Sequence, residues 1–114
     1  MLFRSLSGSL DQTIKIWKID SGECLKTLNF NGSVNCVETF NDDKMLIIGI
    51  GTGDVIIYDL NKYEEVKRIN SAYSIFVWRL ILLSNGNLFT SSGNGEIKLW
   101  NLLQTDYELI RKIN

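Results

Sequence analysis

A chain of 114 residues with twelve Lys and Arg against thirteen Asp and Glu, a formal charge of −1 and 45% hydrophobic residues has an ordinary globular make-up. That balance gives no electrostatic footprint for nucleic acid or for an acidic membrane surface. The lack of histidine excludes His-based triads and most His-containing metal sites.

Short β-branched and aromatic runs separated by turn residues predict strands over 2–7, 13–19 and 24–30, with a turn at 20–22. Strands over 34–40, 44–50, 54–60 and 64–69 follow, joined by turns at 41–43, 51–53 and 61–63. A last group covers 76–83, 88–92, 96–102 and 107–112, its first hairpin turning at 84–87. Eleven strands result, and no segment reads as a helix. The longest apolar runs, 45–48 and 80–83, are far too short to cross a bilayer and suit strands buried on both faces. No charged stretch followed by an apolar one opens the chain, so Cys24 and Cys36 are expected as reduced thiols and the location as cytoplasmic, with the nucleus left open.

One pattern recurs. Ser7-Gly8-Ser9-Leu10-Asp11-Gln12-Thr13-Ile14-Lys15-Ile16-Trp17 has copies at 49–58 and 91–100, each a run of small residues, a tight turn and a β-branched strand ending on an aromatic. The aromatics Trp17, Tyr58 and Trp100 stand at steps of 41 and 42 residues. A period in the forties is the signature of a blade array.

These residues resemble the WD-repeat β-propeller family, and SGSLDQTIKIW is close to that family's most typical string. The resemblance implies an all-β fold of four-stranded antiparallel blades. Residues 1–30 would form an incomplete three-stranded blade, and 31–70 and 71–114 two full ones. At this period the chain holds about 2.7 blades, whereas a closed ring takes about 4–8. The expectation is therefore an incomplete ring, completed by further blades of a longer chain or by other copies.

The family's structural tetrad joins a Trp, a Ser or Thr, an Asp and a His. Ser7, Asp11 and Trp17 match three of its places in the first blade, and Thr90, Asn94 and Trp100 stand at the corresponding places in the third. In the second blade Tyr58, Ile48, Thr52 and Phe30 replace the polar set by apolar packing. By the same resemblance, the turns gathered on one rim of the ring carry the partner surface. That assigns partner binding to Trp78, Arg79, Tyr73, Phe30, Asn35, Asp11, Asp54 and Glu96, with Trp78-Arg79 as the foremost pair. Phe30 and Tyr73 have a structural reading too, as fillers of the vacated histidine places.

No catalytic, metal or cofactor site is expected. Asp42-Asp43 and Glu64-Glu65 are adjacent carboxylates whose strand neighbours point to opposite faces. Gly49 to Gly53 lacks a following Lys-Ser/Thr and leads into a strand, so it reads as a hairpin turn and not a phosphate loop. The expected function is a non-catalytic scaffold for protein or peptide partners. Its alternatives are a piece of a larger chain, such as an F-box or kinase-linked one, and a ring-forming oligomeric structural protein.

Overall fold

The structure, a computed structural model, describes residues 4–8, 12–18, 20–40, 44–69, 72, 75–101 and 108–113, with side chains described in all but the first and last of these stretches. Three antiparallel meanders account for every strand among them. The first has three strands, β1 (Arg4–Gly8), β2 (Thr13–Lys18) and β3 (Cys24–Asn29). The second has four, β4 (Val34–Phe40), β5 (Met45–Ile50), β6 (Val55–Asp59) and β7 (Glu64–Ile69). The third also has four, β8 (Val77–Leu82), β9 (Asn87–Ser92), β10 (Ile97–Asn101) and β11 (Glu108–Ile113). No helix occurs among the described residues, and the eleven strands are those that the turn residues delimit in the sequence.

The three sheets share one register. Trp17 lies opposite Ser5, Tyr58 opposite Leu46 and Trp100 opposite Leu88. A register shift precedes each aromatic on its other side, between Ile16 and Trp17, Ile57 and Tyr58, and Leu99 and Trp100. The hairpin leading into each of these strands turns on a left-handed residue five positions before the aromatic. These residues are Gln12 (φ 71°), Gly53 (φ 92°) and Gly95 (φ 85°). In the second and third sheets the turn closes through Gly53 N–H to the Ile50 carbonyl and Gly95 N–H to the Ser92 carbonyl, each 3.1 Å. Glycine takes this conformation without a Cβ penalty, whereas Gln12 bears one.

Alternation along β2, β6 and β10 then divides the packing. Ile14 and Ile16 of the first sheet bury against Leu46, Ile48, Ile56 and Tyr58 of the second. Val55, Ile57 and Ile47, on the opposite face of the second sheet, bury against Leu80, Leu88 and Trp100 of the third. The second sheet is thus covered on both faces, and Leu46, Ile47, Ile48, Ile56 and Val55 are all 0% exposed. This is why its strands are nearly continuous apolar runs instead of alternating ones. Gly49 marks a close approach of the second sheet to the third, since a Cβ there would stand 2.6 Å from both Cys36 Sγ and Val77 Cγ1.

Candidate partner-binding rim and groove

The innermost strands of the second and third sheets, β4 and β8, run side by side. Each begins with a buried valine, Val34 or Val77, followed by a bulge. Val34 pairs with Ile50 and Cys36 with Gly49, so Asn35 is the extra residue. Val77 pairs with Ser92 and Arg79 with Ser91, so Trp78 is its counterpart. A bulge bends the strand and re-aims the side chain it carries. Asn35 turns towards the neighbouring sheet, and its Nδ2 donates to the Val77 carbonyl at 3.0 Å. Trp78 is 57% exposed and tilts against Phe76 with ring centroids 6.0 Å apart.

Between the two strands lies a groove of about 550 Å³, walled by residues 34–38 and 78–80. Arg79 is exposed on one wall and forms no ion pair among the described residues. Glu38 is exposed on the other wall. Cys36 lines the groove between them. Burial pushes its thiol up to about 11, against the lowering effects of a backbone hydrogen bond from Gly49 and of the Arg79 charge. A thiol so shifted is a poor nucleophile at neutral pH. No group of three or more His, Cys, Asp or Glu that could hold a metal exists among the described residues.

The remaining rim residues are held by local chemistry. Asp54 accepts from Arg68 Nη1 at 3.0 Å, and the same guanidinium reaches Asn31 Oδ1 at 3.2 Å and Glu65 Oε1 at 2.9 Å. The bonds to Glu65, foremost, and to Asp54 raise the pKa of Arg68 further, against the lowering effect of its partial burial. Phe30 is half-buried, its ring edge-on to Tyr58 at 6.4 Å, where it packs against the core between the first two sheets. Glu96 is half-buried, and its N–H donates to Asn94 Oδ1 at 3.3 Å. Asn94 also accepts from the Ser92 hydroxyl, so its side chain braces its own turn.

In the third sheet Trp100 Nε1 donates to the Thr90 hydroxyl at 2.9 Å, with Thr90 1% and Trp100 7% exposed. Trp17 is half-buried, and Ser7 sits opposite Lys15 just as Thr90 sits opposite Lys98. The Ser7 side chain, Asp11 and Tyr73 lie outside the described residues.

Three of the sequence-assigned contact residues, Asn35, Trp78 and Arg79, therefore meet at one groove. Asp54 stands in a separate rim cluster, and Phe30 is spent on packing. Sequence reasoning missed Arg68, the centre of that cluster, because nothing in Glu64-Glu65-Val66-Lys67-Arg68 reveals that it reaches back to Asn31 and Asp54. It missed Glu38 as a groove wall for the same reason, since a charged residue in a strand carries no mark of which neighbour it faces.

Comparison with known proteins agrees with this geometry. The family described as "WD domain, G-beta repeat" matches residues 65–101. The three sheets have the fold of WD40 β-propeller blades. The WD40 propeller domain of Doa1 superposes with a TM-score of 0.86 at 21% identity, covering 97% of this chain and 36% of that one. The WD repeat-containing protein 89 homolog of Dictyostelium discoideum is 28% identical over 103 residues, which is 89% of this chain and 28% of the relative. The U3 small nucleolar RNA-associated protein 12 of Saccharomyces cerevisiae is 26% identical over 97 residues, or 84% of this chain and 10% of the relative. The chain thus spans between a tenth and about a third of these three proteins.

Proposed function

We propose that these blades act as a non-catalytic scaffold that binds protein or peptide partners at the mouth of the groove between β4 and β8. The observation that carries this reading is the pair of equivalent bulges. They set Asn35 and Trp78 at the same place in two successive sheets, with Trp78 open and Arg79 beside it. A tryptophan and an arginine on a rigid frame are the residue types that anchor interfaces. Anchoring of β4 to β8 through Asn35 means little backbone order is lost on binding. Asp54, Arg68 and Asn31 give the rim a second, polar contact area.

The shared fold supports a scaffold over an enzyme, since WD40 propellers generally serve as such. The name of the yeast relative includes a small nucleolar RNA, which favours a nuclear location over the cytoplasmic one expected from the sequence. For the same reason the near-neutral charge does not decide against nucleic acid, and a protein partner within an RNA-associated assembly fits these blades.

The test is quantitative affinity capture from nuclear extract with the chain and its Trp78→Ala/Arg79→Ala variant. Both side chains are exposed, so the variant should unfold at the same denaturant concentration. Loss of a hot-spot pair is expected to weaken capture by about 2 kcal/mol or more, roughly thirtyfold. Capture of the same partners at the same strength would remove the groove mouth as the contact.

A further inference from the structure

Of the residues that wall the groove between β4 and β8, two carry charge, Glu38 on one strand and Arg79 on the other. Both are exposed, and neither forms an ion pair among the described residues. The rim cluster differs. Arg68 is bound there to Asp54 at 3.0 Å and to Glu65 at 2.9 Å, so its charge is spent inside the fold. The rest of the groove wall is neutral, and Val34 and Leu80 in it are buried. A carboxylate and a guanidinium on opposite walls, each without a partner of its own, leave two opposite charges for an occupant to match.

The two charges stand at different levels. The bulges at Asn35 and Trp78 mark the same level in both strands, and Cys36 and Arg79 follow them directly, paired with Gly49 and Ser91. Glu38 comes two residues beyond Cys36 along β4. At about 3.3 Å per residue, its backbone lies about 7 Å further from the mouth than the level of Arg79. That is the separation of side chains i and i+2 in an extended peptide, which point to one side. Trp78, 57% exposed, offers an apolar surface beside Arg79 at the mouth.

We propose that the groove takes an extended peptide segment in which an acidic and a basic residue stand two apart. The acid meets Arg79 near the mouth, the base meets Glu38 below it, and an apolar neighbour lies on Trp78. This rests on the reading of the groove mouth as the partner site and adds the kind of segment that enters it. A uniformly acidic or basic segment satisfies one wall and is repelled by the other. An RNA strand matches Arg79 with its phosphates and leaves Glu38 facing like charge.

The probe is the blocked peptide acetyl-Leu-Asp-Ala-Lys-amide, titrated into the full chain while NMR follows the Trp78 indole N–H, assigned by its loss in Trp78→Phe. Its controls are acetyl-Leu-Asp-Ala-Asp-amide, acetyl-Leu-Lys-Ala-Lys-amide and an oligouridylate. The mixed peptide should bind about fivefold tighter than either uniform one, the upper range for an exposed ion pair. Salt at about 1 M should erase the difference. Glu38→Lys should come to prefer the all-acid peptide, and Arg79→Glu the all-base one. An inverted preference is a gain that an unfolded variant does not give. Where a reversal unfolds the chain, Glu38→Gln should make the mixed and all-acid peptides equal, and Arg79→Gln the mixed and all-base ones. Equal binding of all three peptides by wild type, binding of none, or an oligouridylate as tight as the mixed peptide overturns the proposal. Loss of capture by Trp78→Ala/Arg79→Ala would then still support the groove mouth as a contact, whereas unchanged capture removes the mouth itself.

Discussion

Thr90 and Trp100 show at the residue scale how much of a tetrad a blade needs. The indole N–H is buried and donates to the Thr90 hydroxyl. Thr90→Val keeps the shape and strands the donor, which should cost about 1–3 kcal/mol in urea unfolding. Trp100→Ala should cost about 3–5 kcal/mol in the same measurement, since packing outweighs the bond. At the turn before Trp17, Gln12 holds φ 71° where the other two sheets have glycine. Gln12→Gly should therefore stabilise the chain, by about 1 kcal/mol, through relief of the Cβ clash.

Cys36 is the residue whose chemistry depends on pH. Its thiol is raised from 9.0 to about 11 by burial, so the folded chain holds that proton more tightly than the unfolded one. The stability tied to it is full below about pH 9 and is lost as pH rises towards about 11. The unfolding midpoint should fall across that window, and Cys36→Ala should flatten the fall. Equal slopes in both proteins would show that burial does not govern this thiol.

Among the elements, the contact of β5 with β8 leaves little space. Gly49 leaves no room for a Cβ between Cys36 and Val77, and Gly93 packs so near the Phe76 ring that a Cβ would stand 2.6 Å from its Cε1 and Cε2. Gly49→Ala should destabilise by about 1–3 kcal/mol through overpacking. Gly95, with φ 85° and nothing within 4 Å, should lose only the conformational term, about 1–2 kcal/mol on substitution by alanine. Denaturant titration of the two variants distinguishes crowding from backbone strain. The period of the repeat made the turn glycines legible in sequence, because they recur at fixed distances from an aromatic. Gly49 was legible only as part of a small-residue run; its neighbours Cys36 and Val77 come from two other strands, one in another sheet.

For the whole molecule, sheets stacked in a row give a nearly one-dimensional stability. Among the described residues the second sheet is sandwiched and each of the other two is covered by it on one face, so hydrogen exchange should be slowest in β5 and β6. Exchange that is slowest in β2 or β10 instead would mean that the faces contribute less than the strand ladders do. Ile57→Ala, in that sheet, should cost about 2–5 kcal/mol, against a few tenths for Val66→Ala at 51% exposure.

The sequence by itself determined the blades. Strand limits, turn positions and the equivalence of Trp17, Tyr58 and Trp100 are local or periodic properties, and a period can be counted along a single chain. Tertiary structure alone decided which residues work together. The bulges at Asn35 and Trp78 and the reach of Arg68 to Asn31 and Asp54 depend on how one sheet lies against the next. That placement is fixed by packing between residues far apart in the chain, which no local pattern encodes.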